Sequence, residues 1–130
     1  MDVQLTYKAT GLVMAGGAIG AALRFHGTQL AVRLGHTGYP FATLGINVVG
    51  GLAMGVLAAL VLREHVGEPI RLFVAVGVLG GFTTFSAFSL EMFQMIERGQ
   101  TALALGYALL SVALSLAALA AGYTVTRGLT

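Results

Sequence analysis

Gly80-Gly81-Phe82-Thr83-Thr84-Phe85-Ser86-Ala87-Phe88 sets a glycine pair, three hydroxyls and three phenylalanines inside a run that otherwise reads as membrane-buried helix. In hydrocarbon an unpaired backbone carbonyl costs several kcal/mol, so a stretch able to break a helix is tolerated there only against protein or along a polar path. A plain lipid-facing span has no use for it. The stretch therefore predicts a third span broken at Gly80-Gly81, with the function placed at the break.

The bulk of the chain agrees with a membrane setting. Of 130 residues, 57% are hydrophobic and 9% charged, far from the roughly one-quarter charged content of a soluble domain. Uncharged runs cover Phe41 to Leu62, Leu72 to Leu90 and Thr101 to Thr126, each near or above the roughly 18 apolar residues that signal a spanning helix. A fourth run, Ala9 to Leu23, is followed by Arg24 and then continues. It is too long for a signal peptide, and Lys8 alone makes a poor basic n-region, so it is expected to stay as a span. Cysteine is absent, which excludes disulfides and thiolate metal sites. The seven basic residues are scattered singly, so no patch suits nucleic acid. The surroundings expected of this chain are membrane lipid.

The fold class read from these runs is all-α integral membrane, a single four-helix transmembrane domain over 1–130 with helices at about 8–34, 41–62, 70–97 and 101–126. Breaks follow from His36-Thr37-Gly38-Tyr39-Pro40, from Glu64 to Pro69 and from Arg98-Gly99-Gln100. Gly16 with Gly20, and Gly51 with Gly55, stand four apart, the spacing that lets membrane helices approach closely. With four spans, Lys8, Arg63, Arg71 and Arg127 share one side of the membrane and Arg24, Arg33 and Arg98 the other. Orientation follows the Lys/Arg excess, and here the excess is a single residue. Four short helices also enclose little room for a polar path. Insertion in both orientations and pairing as an antiparallel, dual-topology homodimer answers both points.

Polar residues within the spans share faces. Thr43 and Asn47 are four apart, and Tyr107, Ser111 and Ser115 repeat that spacing, a hydroxyl stripe about 12 Å long at 1.5 Å per residue. The stripe can pass a small hydrogen-bonding ion; alternatively Ser111 and Ser115 bond back to carbonyls of their own helix. Phe85 and Phe88 are three apart, and each ring has a positive edge able to face an anion. Thr84 and Ser86 add hydroxyls beside them. If Gly80 to Thr83 is unwound, its carbonyls form an oxygen site suited to a hard cation, or else the kink holds water. Arg24 and Glu91 snorkel to interfaces or face a vestibule. His26, His36 and His65 have no metal-ligand spacing, and no nucleophile, base or dicarboxylate arrangement suggests an enzyme.

Taken together, the motifs resemble the small bacterial fluoride channels of the Fluc or CrcB family. Gly16-Gly17-Ala18-Ile19-Gly20 with Arg24 is similar to that family's GGxxGxxxR, and Ala42-Thr43-Leu44-Gly45-Ile46-Asn47-Val48-Val49-Gly50 to its GTLxxNxxG. Residues 80–88 are similar to its GGxTTFSTF, with Ala42 and Ala87 as departures. The resemblance implies a multi-pass protein of the bacterial inner membrane that exports cytoplasmic fluoride passively through two pores of an antiparallel dimer. It implies a central structural sodium ion on the carbonyls of Gly80 and Thr83, and aromatic fluoride sites at Phe85 and Phe88 with Asn47 as a pore donor. Thr43, Thr84, Ser86, Tyr107, Ser111 and Ser115 complete the polar pore, with Arg24 and Glu91 in the vestibule.

Two other readings compete. A small multidrug-type, proton-coupled cation transporter needs a carboxylate deep in the membrane, and only Glu91, near a span's end, is available. An accessory subunit that transports nothing leaves the shared Asn, Ser and Phe faces unexplained.

Overall fold

The computed structural model describes residues 3–37 and 39–129, and every regular element among them is helical. Helix α1 spans Val3–Arg33 and α2 spans Phe41–Leu62. A single turn, α3 (Glu68–Ile70), runs into a π-helical segment, Arg71–Leu79. Another turn, α4 (Gly80–Phe82), precedes α5 (Phe85–Glu97), and α6 covers Thr101–Leu129. The turn expected at 36–40 contains Gly38, which lies outside the described residues. Three stretches are long and apolar enough to cross a membrane: Phe41–Leu62, Glu68–Glu97 and Thr101–Leu129. Helix α1 has the length but is not among them.

Packing divides the helices into two close pairs, α1 against the π-helical segment with α4, and α2 against α6, with α5 laid on α6. Small residues make both pairs possible. A methyl group at Gly16 would strike the carbonyl of Phe73, and one at Gly55 the carbonyl of Leu119. The glycine spacing is thus consumed inside one chain, where main chains touch with no side chain between them. Few side chains are buried: Leu44, Met95, Ala104 and Tyr107 form one core cluster, with Tyr39, Val48, Phe88 and Met92 packed around it. Most large apolar residues stay on the surface, Leu109, Val112 and Leu116 of α6 among them. That distribution suits a chain whose outer solvent is hydrocarbon.

The break in the third span does not fall at the glycine pair. Gly80, Gly81 and Phe82 are helical, and the extended residues are Thr83 (φ −74°, ψ 157°) and Thr84 (φ −149°, ψ 122°). Gly81 is used for packing instead, since a Cβ there would lie 2.5 Å from the Gly17 carbonyl oxygen of α1. The break falls at the threonine pair, where the Thr84 hydroxyl takes the Ala87 amide, a role glycine cannot fill.

Candidate functional site

Asn47 of α2 closes the break from across the bundle. Its Nδ2 donates to the Thr84 carbonyl at 3.0 Å, and its Oδ1 accepts from the Thr84 amide at 2.8 Å. The Thr84 amide, which has no ladder partner at the break, and the carbonyl of the same residue are both met by one carboxamide. The Thr84 hydroxyl then caps α5 by accepting from the Ala87 amide at 3.2 Å, and lies 3.4 Å from Ser86 Oγ. These bonds draw two amides away from the helix ladder. In a continuous helix the Gly80 carbonyl would accept from the Thr84 amide and the Thr83 carbonyl from the Ala87 amide. Both amides are engaged elsewhere, and the last ladder bond before the break runs from Thr83 N to the Leu79 carbonyl.

Gly50, one turn beyond Asn47, lets the broken segment sit against α2. A side chain at Gly50 would collide with Thr83 Cγ2. This seat was not legible as a functional position, because its neighbour is distant in sequence.

A second polar knot lies toward the other end of α5. The Thr43 hydroxyl donates to Glu91 Oε1 at 2.6 Å and the Tyr107 hydroxyl to Oε2 at 2.8 Å. Glu91 therefore does not hang free at a helix end; α2, α5 and α6 meet on its carboxylate. Tyr107 is 0% exposed. Its ring meets Phe88 at a centroid distance of 5.1 Å and Tyr39 edge-on at 5.6 Å. Tyr39 is a contributor that the sequence placed only in the turn before α2, a position that gave no sign of the Tyr107 contact.

Beside the Asn47 knot, on the side away from Glu91, a groove of about 370 Å³ is lined by Asn47, Gly50, Thr83, Phe85, Phe88 and Ser111, with Ser115 farther along. Phe85 and Phe88 stand 5.6 Å apart on it, and Phe85 is 79% exposed on the single chain. Ser111 is 7% exposed, and its Oγ has no hydrogen-bond partner. Other hydroxyls on the helices, those of Thr10, Thr28, Ser89 and Thr124, bond to the carbonyl four residues back. Ser111 makes no such bond among the described residues. Arg24 stands apart from the groove, half-buried on α1 and without a side-chain partner among the described residues. The structure thus brings together Thr43, Glu91 and Tyr107 in one knot and Asn47, Thr83 and Thr84 in another, with Phe85, Phe88, Ser111 and Ser115 along the groove.

Comparison with known proteins points the same way. Residues 11–123 match the family model described as CrcB-like protein, Camphor Resistance (CrcB). A relative from Paracoccus denitrificans, named fluoride-specific ion channel FluC, is 54% identical over 117 residues, covering 90% of this chain and 93% of that protein. Relatives bearing the same name from Novosphingobium aromaticivorans and Mesorhizobium japonicum are 49% identical (92% and 97% covered) and 48% identical (91% and 95% covered). With a match of this extent on both counts, the chain belongs to the CrcB-like family.

Proposed function

We propose that this protein is a fluoride-selective channel that lets cytoplasmic fluoride leave passively across the bacterial inner membrane. The observation that carries the reading is agreement along nine-tenths of the chain with proteins named for that activity. The groove supports it chemically. Fluoride is small and strongly hydrated, so a path must replace its water with donors and positive ring edges. Ser111 offers a buried hydroxyl in the same groove as the rings of Phe85 and Phe88. Asn47 retains one amide proton after serving Thr84. With an inside-negative potential an anion leaves downhill by roughly 2.3 kcal/mol per 100 mV, without ATP or proton coupling.

The assembly we infer is an antiparallel homodimer of four-span chains, with two pores to which both copies contribute. Phe85, Phe88 and Ser115 line an open groove of one chain, which a second copy would wall off from lipid. The near balance of Lys and Arg between the two sides suits insertion both ways up. A structural sodium ion belongs to the same reading. The carbonyls of Gly80 and Thr83 have lost their ladder amides to Asn47 and Thr84 Oγ1, and hard, neutral oxygens of this kind suit a hard cation. These two residues would hold the ion, which would offset the carbonyl dipoles exposed at the break. Arg24 is assigned to an aqueous vestibule, where its charge would concentrate anions.

Fluoride efflux from liposomes containing the purified protein tests the proposal. We expect fluoride release with little chloride release, and loss of function when sodium is withheld during purification and assay. Chloride flux equal to fluoride flux would overturn the selectivity, and dye-linked proton flux without fluoride flux would favour a cation transporter instead.

A further inference from the structure

We propose that the adjoining ends of α2 and α6 hold the phosphate of an anionic membrane phospholipid between Arg63, Tyr123 and Arg127. A cavity of about 270 Å³ opens there, lined by Ala59, Leu62 and these three residues, with no acidic side chain. Arg63 caps α2 and reaches across to α6, donating from Nη2 to the Arg127 carbonyl at 3.0 Å. That bond fixes one guanidinium over the cavity. Among the described residues the Arg127 guanidinium and the Tyr123 hydroxyl have no hydrogen-bond partner. Tyr123 lies one turn before Arg127, so both project from one face of α6.

A cation at a helix C-terminus complements the helix dipole, and that accounts for each arginine singly. It does not account for two guanidiniums facing one cavity with no carboxylate between them. Arg71 shows the contrast, since it is tied to Glu68 by two bonds of 2.7 Å and has little left for a ligand. The cavity also sits where two apolar stretches end, the level at which lipid phosphates would meet the chain, and exposed Leu62 gives its rim an apolar surface for an acyl chain. Forked guanidinium donors match phosphate oxygens, and basic pockets between spans are suited to anionic head groups.

Native mass spectrometry of the full-length protein, with phosphatidylglycerol, phosphatidylcholine or inorganic phosphate added, tests the site. Phosphatidylglycerol retention should fall about thirtyfold in R63Q/R127Q and about fivefold in either single variant, taking roughly 1 kcal/mol per basic residue near an anionic surface. Phosphatidylcholine should be held weakly by all of them. Equal phosphatidylglycerol retention by wild type and variants overturns the site. Millimolar inorganic phosphate that displaces the lipid and binds as well in its place overturns the lipid assignment and leaves a free-phosphate site. Fluoride efflux run on the same samples keeps the outcome separate from the channel reading, because none of the three residues lines the groove.

Discussion

Asn47 and Thr84 are joined by two hydrogen bonds running in opposite directions, 3.0 Å from Nδ2 to the carbonyl and 2.8 Å from the amide to Oδ1. A carboxamide is suited to this, since it presents a donor and an acceptor side by side. Asn47→Asp keeps the acceptor but sets a carboxylate oxygen against the Thr84 carbonyl. Leaving one buried partner unsatisfied costs about 1–3 kcal/mol. We expect N47D to unfold at lower temperature in detergent and to lose at least tenfold in fluoride efflux. Wild-type thermal stability in N47D would show that the pairing contributes nothing to the break.

The carboxylate of Glu91 joins three helices through Thr43 and Tyr107. Thr43→Val and Tyr107→Phe each remove one donor while keeping the shape. Each should cost about 1–3 kcal/mol, and the pair should be non-additive because both serve one group. Chemical denaturation in a double-mutant cycle checks this. Strict additivity would mean that the two hydroxyls act independently of each other.

Glycines at main-chain contacts should differ sharply from those facing open space. Gly122→Ala places a methyl in the path of the Leu52 carbonyl, 2.4 Å away for unmoved backbones, whereas nothing lies within 4 Å of a methyl at Gly106. Both residues are in α6. We expect G122A to lose roughly 1–3 kcal/mol through overpacking and G106A to gain about 0.5–1 kcal/mol from helix propensity. Thermal unfolding of the two variants side by side decides it; similar shifts would mean that α2 and α6 are not held at backbone contact.

The sequence made the apolar stretches and the polar faces legible because both are periodic. Thr43, Asn47, Tyr107 and Ser111 line up at four-residue spacing, and the structure turns each of them inward or into the groove. The location of the break was not legible, because glycine's lack of a side chain serves backbone packing as well as chain reversal. Gly81 is committed to α1, and Thr83-Thr84 opens because Asn47, 37 residues away from Thr84, supplies the missing partners. The Glu91 knot was hidden for the same reason: Thr43 is 48 residues from it. A nine-residue π-helical run ahead of the break also left no trace in the hydrophobic pattern, which does not distinguish neighbouring helix types.

Phe85 and Phe88 should matter for transport more than for folding. Phe85 is largely exposed on the single chain, so Phe85→Ile removes a ring edge with little loss of intramolecular packing. We expect F85I and F88I to cut fluoride efflux while the protein still elutes at its wild-type size. Undiminished efflux in the double variant would refute their assignment to the path.

Ser111 offers the sharpest separation of stability from transport. Its Oγ is buried without a partner, and such a group costs about 1–3 kcal/mol to hold. If the hydroxyl were there only for packing, Ser111→Ala would be free of consequence for transport. If instead it serves a passing anion, S111A should raise the unfolding temperature and lower fluoride efflux together. Opposite movement of the two readouts is the expected result, because folding is relieved of an unsatisfied donor that only the ion would use. A variant that gains stability and conducts fluoride as fast as wild type would remove Ser111 from the path.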